Sequence, residues 1–121
     1  MLTVLAVDDE PQVLKLLVHV LQSEYAVLTA ESGVEAMSLY VSYADRIDVI
    51  ITDVTLPGMS GVEWVKRLEE LYRRRLPVIF ITGASEVPLD PNRTVVRKPF
   101  SVAALKQAIR GVLSPGVDGI A

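Results

Sequence analysis

Residues 4–10 read VLAVDDE. Four residues suited to burial, Val4 to Val7, run without a polar break into three acids, Asp8, Asp9 and Glu10. An apolar run that lacks alternation is how a strand covered on both faces reads, and such strands belong to parallel sheets between layers of helix. Parallel sheets of this kind take their ligands beyond the carboxyl ends of the strands. A buried strand that ends in acids therefore points to an architecture and to the edge where chemistry belongs.

Four further runs repeat the signal along the chain: Ala26 to Ala30, Val49 to Thr52, Val78 to Thr82 and Thr94 to Arg97. With Thr3 to Val7 they make five strands. Helical patterns fall between them. Leu14, Leu17, Val18 and Leu21 form one stripe, with Lys15, His19 and Gln22 on the wet side. Ser32 with Glu35, and Ser60 with Glu63, open two more helices in the manner of capping boxes. The second of these is expected to bury Trp64, Val65, Leu68, Leu71 and Tyr72. A last helix follows Ser101, with Val102, Leu105, Ile109 and Val112 at helical spacing and Phe100 placed to staple against Leu105. Strands that alternate with helices imply a parallel sheet with helices on both faces.

One interval breaks the rhythm. Between Thr82 and Thr94 stands GASEVPLDPNR, with Gly83, Pro88 and Pro91 and no apolar stripe. A proline in a helix interior costs about 3 kcal/mol, so this interval reads as a loop with at most one helical turn. The end of the chain, SPGVDGIA, reads as a helix stop and a loose tail. The expected division is one domain over residues 1–114 and a tail over 115–121.

Composition narrows the classes. The chain has 121 residues, the size of one domain, and half of them are hydrophobic, enough for a continuous core. A net charge of −3 argues against a nucleic-acid footprint, which needs a concentrated basic face. The RRR at Arg73 to Arg75 is read as solvated charge at a helix carboxyl end. The absence of cysteine excludes disulfides, zinc–thiolate sites and thiol catalysis, and agrees with a reducing compartment. No apolar segment approaches the roughly 20 residues of a membrane span. A cytoplasmic domain with neither nucleic acid nor membrane as partner is expected.

Asp8 and Asp9 follow strand one, and Asp53 follows strand three. If those strands are neighbours, three carboxylates converge. Two like charges about 4 Å apart at an effective dielectric near 20 repel by roughly 4 kcal/mol, so such a group calls for a cation or for raised pKa values. Oxygen ligands without His or Cys favour a hard ion, Mg²⁺ first. Strand four brings the Thr82 hydroxyl to the same edge and strand five brings Lys98. A phosphoryl group beside the cation would satisfy both.

Taken together and in order, VDDE, ITDVTLPGMSG, ITG and KPF resemble the receiver domain of response regulators in two-component signalling. YAVLTAESGVEA and the helix start at Gly61 agree more softly, and the resemblance covers nearly all of residues 1–114. It implies a flavodoxin-like, doubly wound, five-stranded parallel sheet of order 2-1-3-4-5. By resemblance, Asp53 accepts a phosphoryl group from a histidine kinase or a histidine phosphotransfer protein. Asp9 and Asp53 ligate Mg²⁺, Asp8 acts mainly through water, and the Thr55 carbonyl completes the protein's share. Lys98 pairs with the carboxylate and then the phosphoryl oxygens, Thr82 hydrogen-bonds the phosphate, and the Lys98–Pro99 bond is cis.

The sequence departs from the family in two places. Many members carry an aromatic residue three positions before the lysine, where this chain has Val95. The fourth helix of the family is here shortened or missing, replaced by the Gly83–Arg93 interval. Shortened segments of this kind resemble receiver modules of hybrid sensor kinases or small stand-alone receivers. Two other functions compete: an interaction module that signals without phosphate, which the intact acids, Thr82 and Lys98 disfavour, and a Mg²⁺-dependent phosphatase with an aspartyl nucleophile. The haloacid-dehalogenase type of phosphatase carries a second Asp two residues after the nucleophile, where this chain has Thr55.

Overall fold

The computed structural model describes residues 1–83 and 90–114. Five parallel strands, β1 (Leu2–Val7), β2 (Tyr25–Ala30), β3 (Val49–Asp53), β4 (Val78–Thr82) and β5 (Thr94–Arg97), form one sheet of order β2-β1-β3-β4-β5. Helices α1 (Pro11–Leu21), α2 (Gly33–Tyr43), α3 (Gly61–Tyr72) and α4 (Val102–Val112) are the four helices among the described residues. The expected strands are all present, with one residue more at the start of β1 and β2 and at the end of β3. The expectation of a shortened or missing helix between β4 and β5 falls mainly on residues 84–89, which lie outside the described residues.

Uninterrupted apolar strands work because both sheet faces are covered. Leu5, Val7, Ile50, Val78 and Phe80 pack with Trp64, Tyr40 and Leu68 on the α2–α3 side. Val4, Ala6, Val49, Ile51, Ile79 and Ile81 pack with Leu14, Leu17, Leu105 and Ile109 on the α1–α4 side. Successive residues of a strand point to opposite faces, so each strand feeds both cores. Reading every strand as buried on both sides is too generous at the edges: in β2 Ala26 and Thr29 are exposed, and in β5 Arg97 is exposed. Leu71, expected in the core, is 63% exposed and lies on the wet side of α3.

The serine caps form as expected. Ser32, Ser60 and Ser101 accept from the backbone N–H groups of Glu35, Glu63 and Ala104. Helix α1 starts differently, with Pro11 in its first turn and Glu10 at the N-cap, whose side chain makes no capping hydrogen bond. At its other end α3 closes on Arg73 in a left-handed conformation, φ 53°.

Candidate functional site

Parallel register decides which side chains meet. Val7 lies beside Thr52 in the β1–β3 ladder, so the residues that follow, Asp8 and Asp53, emerge side by side. Asp53 is paired with Ile81, and Thr82 with Arg97, which sets Thr82 and Lys98 at the same edge. Each ladder runs slightly past its strand. The Asp8 N–H donates to Ala30 O (3.1 Å), Val54 N–H to Ile81 O (3.0 Å) and Lys98 N–H to Thr82 O (2.8 Å). The backbones that carry the functional side chains are therefore fixed by the sheet. The Lys98–Pro99 peptide is cis.

Lys98 Nζ donates to Asp53 Oδ2 (2.9 Å) and to Asp8 Oδ2 (3.0 Å), and Glu10 Oε1 lies 3.5 Å away. The second oxygen of Asp53 accepts from the Thr55 N–H (3.0 Å), so both oxygens of this carboxylate are oriented. Asp8 Oδ1 accepts from the Glu10 N–H (2.9 Å). Asp8 and Asp53 are buried, and Thr82 is buried beside them. Burial holds the Asp8 carboxyl above its ordinary range, against the opposing pull of the Glu10 N–H and Lys98. Burial lowers Lys98, but the bonds and charges of Asp53 and Asp8 outweigh it and hold the ammonium well above its usual value.

The helix that follows Asp53 is seated on its backbone. Gly61 N–H donates to Val54 O (2.8 Å), and a Cβ at position 61 would lie 2.1 Å from Asp53 O. Only glycine allows that approach. Trp64, read in the sequence as packing alone, also donates from Nε1 to Thr52 Oγ1 (3.1 Å), and Thr52 Oγ1 donates in turn to Asp53 O (3.0 Å).

Asp8, Asp53, Lys98 and Thr82 thus share one edge. Asp9 is exposed, and Thr55 is exposed with its N–H turned to Asp53. Among the described residues, the acids with oxygens within 4.8 Å of one another are Asp8, Glu10 and Asp53. Sequence reasoning left Glu10 out of the site. Its place in the same acid run was the available signal. Three carboxylates, with no His or Cys among them, fit a hard divalent cation.

Comparisons with known proteins agree with this geometry. Residues 4–110 match the response regulator receiver domain family, and the chain belongs to it. It is therefore a phosphorylation-dependent signalling switch of the two-component type. It is 36% identical to a chemotaxis protein CheY homolog of Campylobacter jejuni, over 93% of this chain and 92% of the relative. It is 32% identical to the sensor kinase CckA of Brucella abortus, over 92% of this chain but only 12% of that kinase. A CheY from Borrelia burgdorferi, solved as a CheX–CheY–BeF3–Mg²⁺ complex, superposes with a TM-score of 0.83 at 28% identity, over 92% of this chain and 88% of that one. No helix among the described residues is long and apolar enough to cross a membrane.

Proposed function

We propose that Asp53 is the phosphoryl acceptor of a receiver unit spanning residues 1–114, and that a histidine kinase or a histidine phosphotransfer protein is the donor in the cytoplasm. A carboxylate oxygen of Asp53 attacks phosphorus, the P–N bond to the donor histidine breaks, and the imidazole leaves with the electron pair. Lys98 moves from the carboxylates to the phosphoryl oxygens, and Thr82 supplies a hydroxyl to them. Asp8, Asp9 and Asp53, with the Thr55 carbonyl, are the residues assigned to Mg²⁺. Bound there, the ion neutralises charge on the transferred group.

The observation that carries this reading is Lys98 Nζ within 3.0 Å of both Asp53 and Asp8. A lone ammonium between buried carboxylates leaves a deficit of positive charge that a divalent cation removes. Helix α1 supports the donor's approach: it borders the site, and Val13 and Val20 are half-buried while Leu16 is 47% exposed. We assign it the main partner surface. Intact mass should rise by one phosphoryl group with Mg²⁺ and a small-molecule phosphodonor, and not in Asp53→Asn. Equal labelling of that variant would overturn the assignment.

A further inference from the structure

We propose that Glu10 is a positioning residue for Lys98, holding the ammonium at the mouth of the cleft while Asp8 and Asp53 are engaged by the cation. The proposal rests on the phosphoacceptor reading of Asp53 and adds to it a role for the third carboxylate.

Three features of Glu10 lead here. First, its backbone is fixed from both sides. The N–H is held by Asp8 Oδ1 at 2.9 Å, and the carbonyl accepts from Val13 (3.0 Å) and Leu14 (3.3 Å) at the start of α1. Second, its side chain does not serve the helix. The N-cap position favours short polar side chains that turn back to the first N–H groups, as Ser32, Ser60 and Ser101 do in the other described helices. Glu10 makes no such bond. Third, the carboxylate stands 3.5 Å from Lys98 Nζ and joins the oxygens of Asp8 and Asp53.

The need for such a residue follows from the partners of Lys98. Its two close acceptors, Asp8 and Asp53, are also the buried carboxylates assigned to the cation. An ammonium that shares a cleft with a divalent ion is repelled, and once its acceptors are engaged it has to be held by another group. Glu10 lies at the rim, 51% exposed on its side chain, where an ammonium can rest without crowding the ion. From there Nζ is a short swing from a phosphoryl group on Asp53. The contribution of a half-exposed pair is modest, which suits a group that has to release Lys98.

The sign of one measurement separates positioning from a bystander charge. A rim carboxylate that only adds negative potential opposes an incoming anion, so its removal tightens anion binding. A carboxylate that holds Lys98 in place favours the anion, so its removal weakens binding. The probe is beryllium fluoride at saturating Mg²⁺, with affinity read by calorimetry on wild type, Glu10→Gln and Glu10→Asp. Both variants are expected to bind about three- to fivefold more weakly. The aspartate is the sharper case: it is a good N-cap, so its melting temperature should rise while its affinity falls. Unchanged or tighter binding in both variants overturns the role of Glu10 and leaves Asp53 untouched. Failure of the wild type to bind the probe overturns the phosphoacceptor reading, and this inference with it.

Discussion

Strand β5 is tied down by charge at both ends. At its carboxyl end Lys98 meets Asp8, Asp53 and Glu10. At its amino end Arg93 pairs with Glu69 of α3, donates to Leu76 O (3.3 Å) and lies over the Phe80 ring, while Glu69 also accepts from the Leu76 N–H (2.8 Å). Arg75 and Asp90 add an outer pair at 3.3 Å. The amino-end group is balanced, one cation to one anion in each pair. The carboxyl-end group sets one cation against three anions. Both Arg93 and Glu69 are shielded, at 11% and 18% side-chain exposure, yet nothing there is short of a partner charge. Chemistry is expected where charge is left unbalanced, and structure where it closes.

Removing the cation at each end tests that contrast. Lys98→Ala leaves Asp8 and Asp53 buried together without their ammonium, and should cost about 3 kcal/mol of stability in metal-free buffer. Saturating Mg²⁺ should narrow the gap to wild type measured in the same buffer, because carboxylates without their ammonium bind the ion more tightly and each tenfold gain in affinity adds about 1.4 kcal/mol at saturation. Chemical denaturation with and without Mg²⁺ reads both values. A loss that Mg²⁺ leaves unchanged would break the claim that this end is built around a missing positive charge.

Arg93→Met should cost somewhat less, about 2 kcal/mol, because Glu69 keeps its bond from Leu76. Here Mg²⁺ should restore nothing, and phosphodonor labelling should proceed. Loss of labelling in a folded Arg93→Met protein would mean that the two ends of β5 are coupled, and that the balanced end belongs to the switch.

A third substitution acts within the unbalanced end. The dominant influence on Asp8 is burial, which raises its folded pKa. A carboxyl raised in this way costs stability above the folded pKa, and the cost fades as pH falls towards and below the ordinary value of 3.8. Asp8→Asn should therefore stabilise the metal-free protein near neutral pH, and the gain should vanish in acid. Mg²⁺ affinity should fall at the same time. A gain that persists at low pH would point to packing instead of charge.

The two ends were unequally legible in the sequence. The site end could be read because its residues sit at strand ends, where parallel topology alone brings Asp8, Asp53, Thr82 and Lys98 together. Side-chain direction was not legible there: nothing in VDDE says that Glu10, not Asp9, is the acid that turns inward in this structure. The opposite end escaped almost entirely. Glu69 is half-buried within a helix that reads as amphipathic, and Arg93 sits in an interval read as a loop. Their pairing spans 24 residues and follows no periodicity. Arg74 and Arg75, taken as solvated charge, reach Tyr40 (3.2 Å) and Asp90 (3.3 Å). Asp90 and Arg93 are thereby anchored to the α3–β4 corner.

The smallest expected effect sharpens the balanced end. Arg73 adopts φ 53° to close α3, and its N–H bonds to Glu69 O. That bend turns the chain so that Leu76 returns to the Glu69 carboxylate seven residues back. A left-handed residue at a helix carboxyl end is most often glycine, because a Cβ there crowds the backbone. Arg73→Gly removes the crowding and should stabilise the protein by about 0.5–1 kcal/mol, although glycine also loses more backbone entropy on folding. The melting temperature should rise equally with and without Mg²⁺, since the bend lies at the end of the sheet away from Asp53. A gain seen only in the Mg²⁺-bound protein would tie α3 to the site and erase the separation between the two ends of β5.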